Sequence, residues 1–280
     1  MNDSERDARI AELLGDERVA QVLVRRHLEH RIRSGDVLRV KFGVDPSRPD
    51  LHIGHYVAFR KLRQFQELGH TVVIIIGDWT AQIGDPTGRS EQRTMLTADE
   101  VRTNARTYLD QLFKVIGVEQ AEIRHQSEWF SGFDLADVLR LTARYSVAQM
   151  LQRKDFQARY ASGASIGIVE LLYPLLQAYD SVAVRADVEI GGTDQTFNLL
   201  VGRDILREYG QPPQDILTVP LLVGLDGVQK MSKSLGNYVG VAEDPIESFG
   251  KLMSIPDALI EGYLRLVTLM PATEIDAIVA

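Results

Sequence analysis

The 280-residue sequence predicts an α/β fold with a doubly wound parallel sheet, and two observations carry that prediction. The run "HTVVIIIGDWT" is apolar on both faces and rich in β-branched residues, as a strand is when helices cover its sheet above and below. Most of the candidate strands run straight into Gly-rich or Asp-rich loops from which helical patterns continue, so strand and helix alternate along the chain.

Residues 1–36 read as an N-terminal helical segment, amphipathic and charged, without the basic start and apolar core of a signal peptide. "VLRVKFGV" alternates from Val37 and ends at Gly43 as a strand does, and a loop holding Pro46 and Pro49 leads into a helix that opens on His52 and His55. "HTVVIIIGDWT" is the second strand, and residues 37–96 make the first half of the sheet domain. Residues 97–185 read as a mostly helical insertion. "ADVEIGG" is a third strand ending at Gly192, followed by a helix over 193–209, and "ILTVPLLVG" a fourth ending at Gly224, so that 186–240 complete the domain. Residues 241–280 are helical again and read as the start of a further helical domain. Ligands of doubly wound sheets bind beyond the carboxyl ends of the strands, which singles out loops 43–54, 77–93, 191–195 and 224–237.

Composition narrows the chemistry. A chain with 45% hydrophobic and 25% charged residues buries an ordinary core. Without cysteine, it has no disulfides, thiolate nucleophile or Cys-ligated zinc. "VVIIIG" is far too short to span a bilayer, and the chain reads as a soluble cytoplasmic protein. A net charge of -8 argues against general affinity for polyanions but leaves room for a local basic patch.

His52 and His55 stand at (i, i+3), so both project from one face of a first helical turn, where unpaired backbone N–H groups already favour an anion. Such a pair suits a phosphate, and Gly54 between them lets a ligand approach the backbone. Two surface histidines are the plain alternative; a metal pair lacks both the HExxH arrangement and a cysteine ligand. "GLDGVQKMSKSLGN" sets Lys230 and Lys233 among glycines at the end of a strand, where a closing loop brings cations to a phosphate chain in the transition state.

Together "HIGH" and "KMSKS", in this order on a parallel-sheet pattern, resemble the paired signatures of the class I aminoacyl-tRNA synthetases. From about Val37 onward, "GVDPSRPDLHIGH", "GDWTAQIGDPTGRS", "ELLYPLLQAYDSVAVRADVEIGGTDQ" and "KMSKS" are similar to the tyrosyl-tRNA synthetase family, with a Rossmann-like catalytic domain. Tyr173, Gln177 and Asp180 would share one stripe of a helix; as a core stripe it is poor, because each buried polar member needs a partner.

The resemblance implies roles residue by residue. Asp180 accepts from the phenolic hydroxyl of L-tyrosine, Tyr173, Gln177 and Asp85 hold its amino group, Gln195 lies toward its carboxylate, and Gly43 borders the pocket. Asp45, Gly54, Gly191, Gly192, Asp194 and Met231 surround ATP, with Arg89 and Arg93 assisting pyrophosphate. His52, His55, Lys230 and Lys233 stabilise phosphate charge; magnesium comes with ATP, no side chain fixes a metal, and no cofactor is tightly bound. Lys41 departs from the pattern: many bacterial members carry a tyrosine there that shares the substrate hydroxyl, which leaves the second hydroxyl contact unassigned.

The implied reaction is adenylation of tyrosine and transfer to tRNA(Tyr). The tryptophan enzyme, a small-molecule nucleotidyltransferase with the same HxGH chemistry and a non-catalytic RNA-binding paralogue are the rivals. A homodimer through the insertion is expected, with "ELLYPLLQAY" and "YSVAQMLQ" supplying apolar surface. Arg140, Arg144, Arg153, Lys154 and Arg159 either guide the acceptor arm or form a solvated face. The family continues beyond this length into an anticodon-binding domain and an RNA-binding module, so the chain is expected to be a fragment that forms adenylate but charges tRNA poorly.

Overall fold

A computed structural model describes residues 3–47, 50–87, 95–117, 119 and 121–280. Six strands, β1 (Gln21–Leu23), β2 (Arg39–Val44), β3 (Thr71–Ile76), β4 (Ala121–His125), β5 (Val188–Gly192) and β6 (Asp215–Val219), form one sheet in the order β1-β6-β5-β2-β3-β4. All pairs are parallel except β1 with β6. From β2 the chain builds outward to β3 and β4, then returns to build β5 and β6 on the other side. The switch point of the doubly wound fold therefore lies between β2 and β5.

The two faces of the sheet follow from the alternation of side chains along each strand. Val40, Phe42 and Val44 of β2, with Val72, Ile74 and Ile76 of β3, pack under α1 (Asp3–Gly15), α2 (Arg25–Arg33), α3 (Tyr56–Glu67) and α5 (Ala98–Leu112). On the other face Val73 and Ile75 meet Val184 and Ala186 at the end of α10 (Ile168–Val184), which packs in turn on α11 (Thr196–Glu208). Both faces of β3 are covered, as its unbroken apolar run requires.

The structure adds one strand to the mostly helical insertion and corrects two expectations. The 97–185 segment contributes not only helices but also the edge strand β4, whose "AEIRH" is half-buried throughout and lacks the apolar run of a central strand. The N-terminal segment is interrupted by β1, too short to show a period. The fourth strand ends at Val219, five residues before Gly224, because Pro220 has no N–H to continue a ladder. The short helix α4 (Thr80–Ile83) follows β3, α6 (Ser127–Phe130) follows β4, and α7 (Leu135–Thr142), α8 (Val147–Met150) and α9 (Lys154–Ser162) precede α10. Helices α12 (Pro245–Met253), α13 (Asp257–Val267) and α14 (Ala272–Val279) close the described chain, and no helix among the described residues is long and apolar enough to cross a membrane.

Buried polar groups tie these layers. Lys61 of α3 reaches Asp16 Oδ1 at 2.7 Å and the carbonyls of Glu12 and Leu13, completing the C-terminal end of α1. His70 Nδ1 accepts the Leu38 N–H at 3.3 Å ahead of β2, and burial pushes its pKa down to about 4. The unfolded histidine titrates near 6.5, so its contribution to stability is full above that value and is lost as pH falls toward 4. Between pH 7 and 5 this residue alone should remove about 2 kcal/mol. His70→Asn, which keeps an acceptor and does not titrate, should flatten the fall by about that amount in urea unfolding at the two pH values; equal slopes for parent and variant would exclude the assignment.

Candidate active site

A cavity of about 940 Å³ opens at the carboxyl ends of β2, β3, β5 and β6, where the switch point leaves a crevice. Its lining draws on each of the four loops singled out from the sequence. Lys230 and Lys233 enter from the fourth, His52 and His55 from the first, and Tyr173, Gln177 and Asp180 from α10.

His52 precedes a 3₁₀ turn, Ile53–His55, that runs directly into α3. The imidazole centroids are 3.9 Å apart. Gly54 serves the rings first: a Cβ there would sit 3.0 Å from His52 Nδ1. Burial, then the proximity of His55 and Lys233, pushes His52 down to about 2. His55 is pushed down to about 4 by burial and Lys233. Both rings are therefore neutral at neutral pH, each with one N–H to donate. When His55 Nδ1 accepts the His52 N–H at 3.2 Å, its Nε2 carries the proton.

The lysine loop is a defined hairpin. Gly224 N–H donates to Gln229 O, Met231 N–H to Leu222 O, and Asn237 ties Ser232 N–H to Asp226. Gly224 is required there, because a Cβ would collide with Asn237. Beyond the loop, Ile53 N–H donates to Val239 O and Val241 N–H to Leu51 O, so the exit of the lysine hairpin is zipped to the entrance of the histidine turn. Met231 is buried with Ile53, Leu222, Val239 and Tyr263 beneath this junction. Lys230 Nζ lies 2.5 Å from Asp194 Oδ2, and Lys233 donates to Asp50 O and, at 2.7 Å, to Tyr108 OH.

On α10 the three stripe residues are each engaged. Tyr173 OH donates to Asp45 Oδ2 at 2.8 Å, while Thr80 Oγ1 donates to Asp45 Oδ1. Gly77 makes room for this carboxylate, since a Cβ there would overlap Asp45 and Thr80. Gln177 Nε2 donates to Glu189 Oε1 at 3.2 Å. Asp180 accepts from Gln126 Nε2 at 2.8 Å and Trp129 Nε1 at 3.2 Å. Burial pushes its carboxyl up to about 8, against the pull of Lys41 and of the Gln126 hydrogen bond. Asp85 accepts from Gln195 Nε2 at 2.7 Å and from Thr87.

Of the glycines, Gly43 faces open cavity, whereas a Cβ on Gly191 would press on Gln195 and Leu199, and one on Gly192 on Asp194 and Leu221. The latter two allow the tight passage from β5 into α11. Arg89 and Arg93 lie outside the described residues. Thr80, Tyr108, Gln126 and Glu189 were not singled out from the sequence. Glu189 alone carried a signal there, as a charge inside an otherwise apolar strand.

The insertion corrects two further expectations. Arg153 and Arg159 are buried, paired with Asp155 and Glu170, and so belong neither to a solvated face nor to a basic patch. In "ELLYPLLQAY", Glu170, Tyr173, Leu175 and Ala178 are buried within the chain; "YSVAQMLQ" does expose Val147 on α8 (61%), and α7 adds Leu135 (73%) and Leu139 (59%).

The chain is 61% identical to a tyrosine–tRNA ligase of Dehalococcoides mccartyi (strain CBDB1), over 92% of this chain and 65% of that protein. It is 56% identical to one from Thermotoga maritima, over 92% and 64%. The chain thus spans somewhat under two thirds of the length of these relatives. In fold it is similar to a tyrosyl-tRNA synthetase from Archaeoglobus fulgidus, solved in complex with L-tyrosine (TM-score 0.77, 22% identity, 93% of this chain and 80% of that one). A C-terminally truncated mitochondrial tyrosyl-tRNA synthetase from Aspergillus nidulans gives TM-score 0.75 at 24% identity, over 96% and 82%. The family profile described as tRNA synthetases class I (W and Y) matches residues 33–280, and the chain belongs to that family.

Proposed function

We propose that this chain activates L-tyrosine with ATP and, within a tyrosine–tRNA ligase, passes the tyrosyl group to tRNA(Tyr). The observation that carries the reading is the meeting, in one cavity, of the histidine turn, both loop lysines and a polar stripe ending in a buried carboxyl group. A tyrosine carboxylate oxygen attacks the α-phosphorus in line; the bond from that phosphorus to the bridging oxygen breaks and pyrophosphate leaves with the electron pair. A hydroxyl of the terminal ribose of tRNA then attacks the activated carbonyl carbon and releases AMP. Neither step needs a protein nucleophile.

Catalysis is by position and charge. Neutral His52 and His55 donate N–H groups to phosphate oxygens without bringing further positive charge beside the two lysines. Lys230 and Lys233 stabilise the departing pyrophosphate, with Tyr108 holding Lys233 beside it. Asp194 takes a ribose hydroxyl, which then competes with Lys230 for the same carboxylate, so seating of the nucleotide releases Lys230 toward the phosphates. Magnesium arrives on ATP. Asp85, Tyr173 and Gln177 hold the amino group, with Asp45 beside Tyr173 toward the nucleotide, Gln195 lies toward the carboxylate, and Asp180 pairs with the phenol at the far end. Cytoplasmic action accords with these substrates.

A second copy of this chain is proposed to cover the apolar face of α7 and α8. Light scattering at micromolar concentration should report a dimer, and Leu139→Glu a monomer; a monomeric parent would rule this out.

His52→Ala and His55→Ala should each lower kcat of tyrosine-dependent ATP–pyrophosphate exchange by more than about tenfold with smaller effects on the KM for tyrosine. Unchanged rates would remove both from the phosphate site. Asp180→Asn should narrow the preference for tyrosine over phenylalanine by about tenfold or more, because the amide cannot take the negative form in which a carboxyl group accepts most strongly from the hydroxyl. Exchange with tryptophan in place of tyrosine would overturn the substrate assignment.

A further inference from the structure

Lys41 and Glu189 are register partners on the adjacent strands β2 and β5. Their side chains are 0% and 1% exposed, and Lys41 Nζ lies 2.9 Å from Glu189 Oε1. Both point to the face covered by α10. Lys41 also donates to Gln177 O at 2.7 Å and Ser181 Oγ at 2.8 Å, so its three N–H groups have three partners. Glu189 accepts from Gln177 Nε2 at 3.2 Å and Ser181 Oγ at 3.4 Å, and its outer oxygen also takes Gln214. The hydrogen bonds the pair makes with α10 therefore fall on the turn that carries Asp180: Gln177 three residues before it, Ser181 one residue after. Glu189 lines the cavity floor beside Gln177 and Asp180.

Stability alone does not explain such a pair. Taking two charges out of water costs about as much as their attraction returns, and apolar residues of similar volume are often as stable or more so. The strands around it are built of just such residues. What the ion pair supplies that a methyl-rich floor does not is direction: hydrogen bonds of defined geometry to one turn of one helix.

We propose that the Lys41–Glu189 pair positions the amino-acid pocket: it clamps the Gln177–Ser181 turn of α10 to the sheet and thereby sets selection of the phenolic hydroxyl by Asp180. Lys41 is a positioning residue that acts through α10. As the first positive charge bearing on Asp180, it also favours the carboxylate form that burial disfavours.

This inference rests on tyrosine as the substrate, and the test separates the two. Tyrosine-dependent pyrophosphate exchange by the parent chain comes first; its absence would refute the substrate reading, whatever the pair does. The informative variant is Lys41→Met with Glu189→Gln, which removes both charges of the pair together. It should fold, keep its KM for ATP within about twofold, raise the KM for tyrosine by about tenfold or more and cut the preference for tyrosine over phenylalanine by a similar factor. Parental values for tyrosine KM and preference, or equal losses toward tyrosine and ATP, would overturn the proposal. Should the double variant fail to fold, Ser181→Ala, which removes one Lys41 contact and keeps both charges, should raise the tyrosine KM about threefold with the ATP KM unmoved; no change in either would equally overturn it.

Discussion

The position of β2 between β3 and β5 is the constraint on which the site depends. Because β2 is parallel to both neighbours, three carboxyl ends emerge together. Because the chain leaves β2 in one direction and returns to β5 from the other, the loops at those ends diverge. Asp45, Gly77 and Gly192 stand at the lips of the resulting crevice, and Tyr173 of α10 reaches across to Asp45. A strand inserted or lost at this point would separate the histidine turn from α10, and no adjustment of side chains would restore the cavity.

Desolvation shapes what these walls contain. Lys61 finds Asp16 and two helix carbonyls, Arg159 finds Glu170, and Lys41 finds Glu189. Each is an ion pair whose removal of one partner would leave a buried charge, and each joins segments far apart in sequence or fixes one helix end. The histidines solve the same problem by staying uncharged. Asp180 is fully buried with two neutral donors, Gln126 and Trp129, and burial pushes its carboxyl up. The pocket thus ends on a buried carboxyl group held by neutral donors, where a further polar partner gains by arriving.

The architecture was legible wherever burial imposed a period. β3 is apolar throughout because both faces are covered, and its ending at a Gly-Asp loop pointed to the correct end of the sheet. The residues brought by those loops, His52, His55, Lys230, Asp194 and Gln195, are found where the strand ends predicted. What stayed hidden had weak or misleading local signals. β4 is a polar edge strand and β1 spans three residues. Arg153 and Arg159 look like surface charge in one dimension, yet each folds onto an acid that buries it. Gln126 and Tyr108 enter the cavity from elements whose chain neighbours lie elsewhere, so no spacing could announce them. Lys41 and Glu189 showed only that a charge sat in each of two strands; that they are partners is a fact of register.

The zipping of residues 51–53 to 239–241 gives the two halves of the phosphate site a common mechanical origin. Cations carried on a hairpin gain little if the hairpin can place them anywhere, because the entropy of fixing the loop offsets what they contribute to a developing charge. Here one side of the lysine hairpin leads directly into backbone pairing with the histidine turn, and Met231 is buried at the junction among Ile53, Leu222 and Val239. The arc available to Lys230 and Lys233 is therefore set by the same few residues that orient His52. Placing the imidazoles and the ammonium groups on one hinge makes their alignment with a phosphate chain a single event, and the low pKa of the rings follows from that closeness as well as from burial.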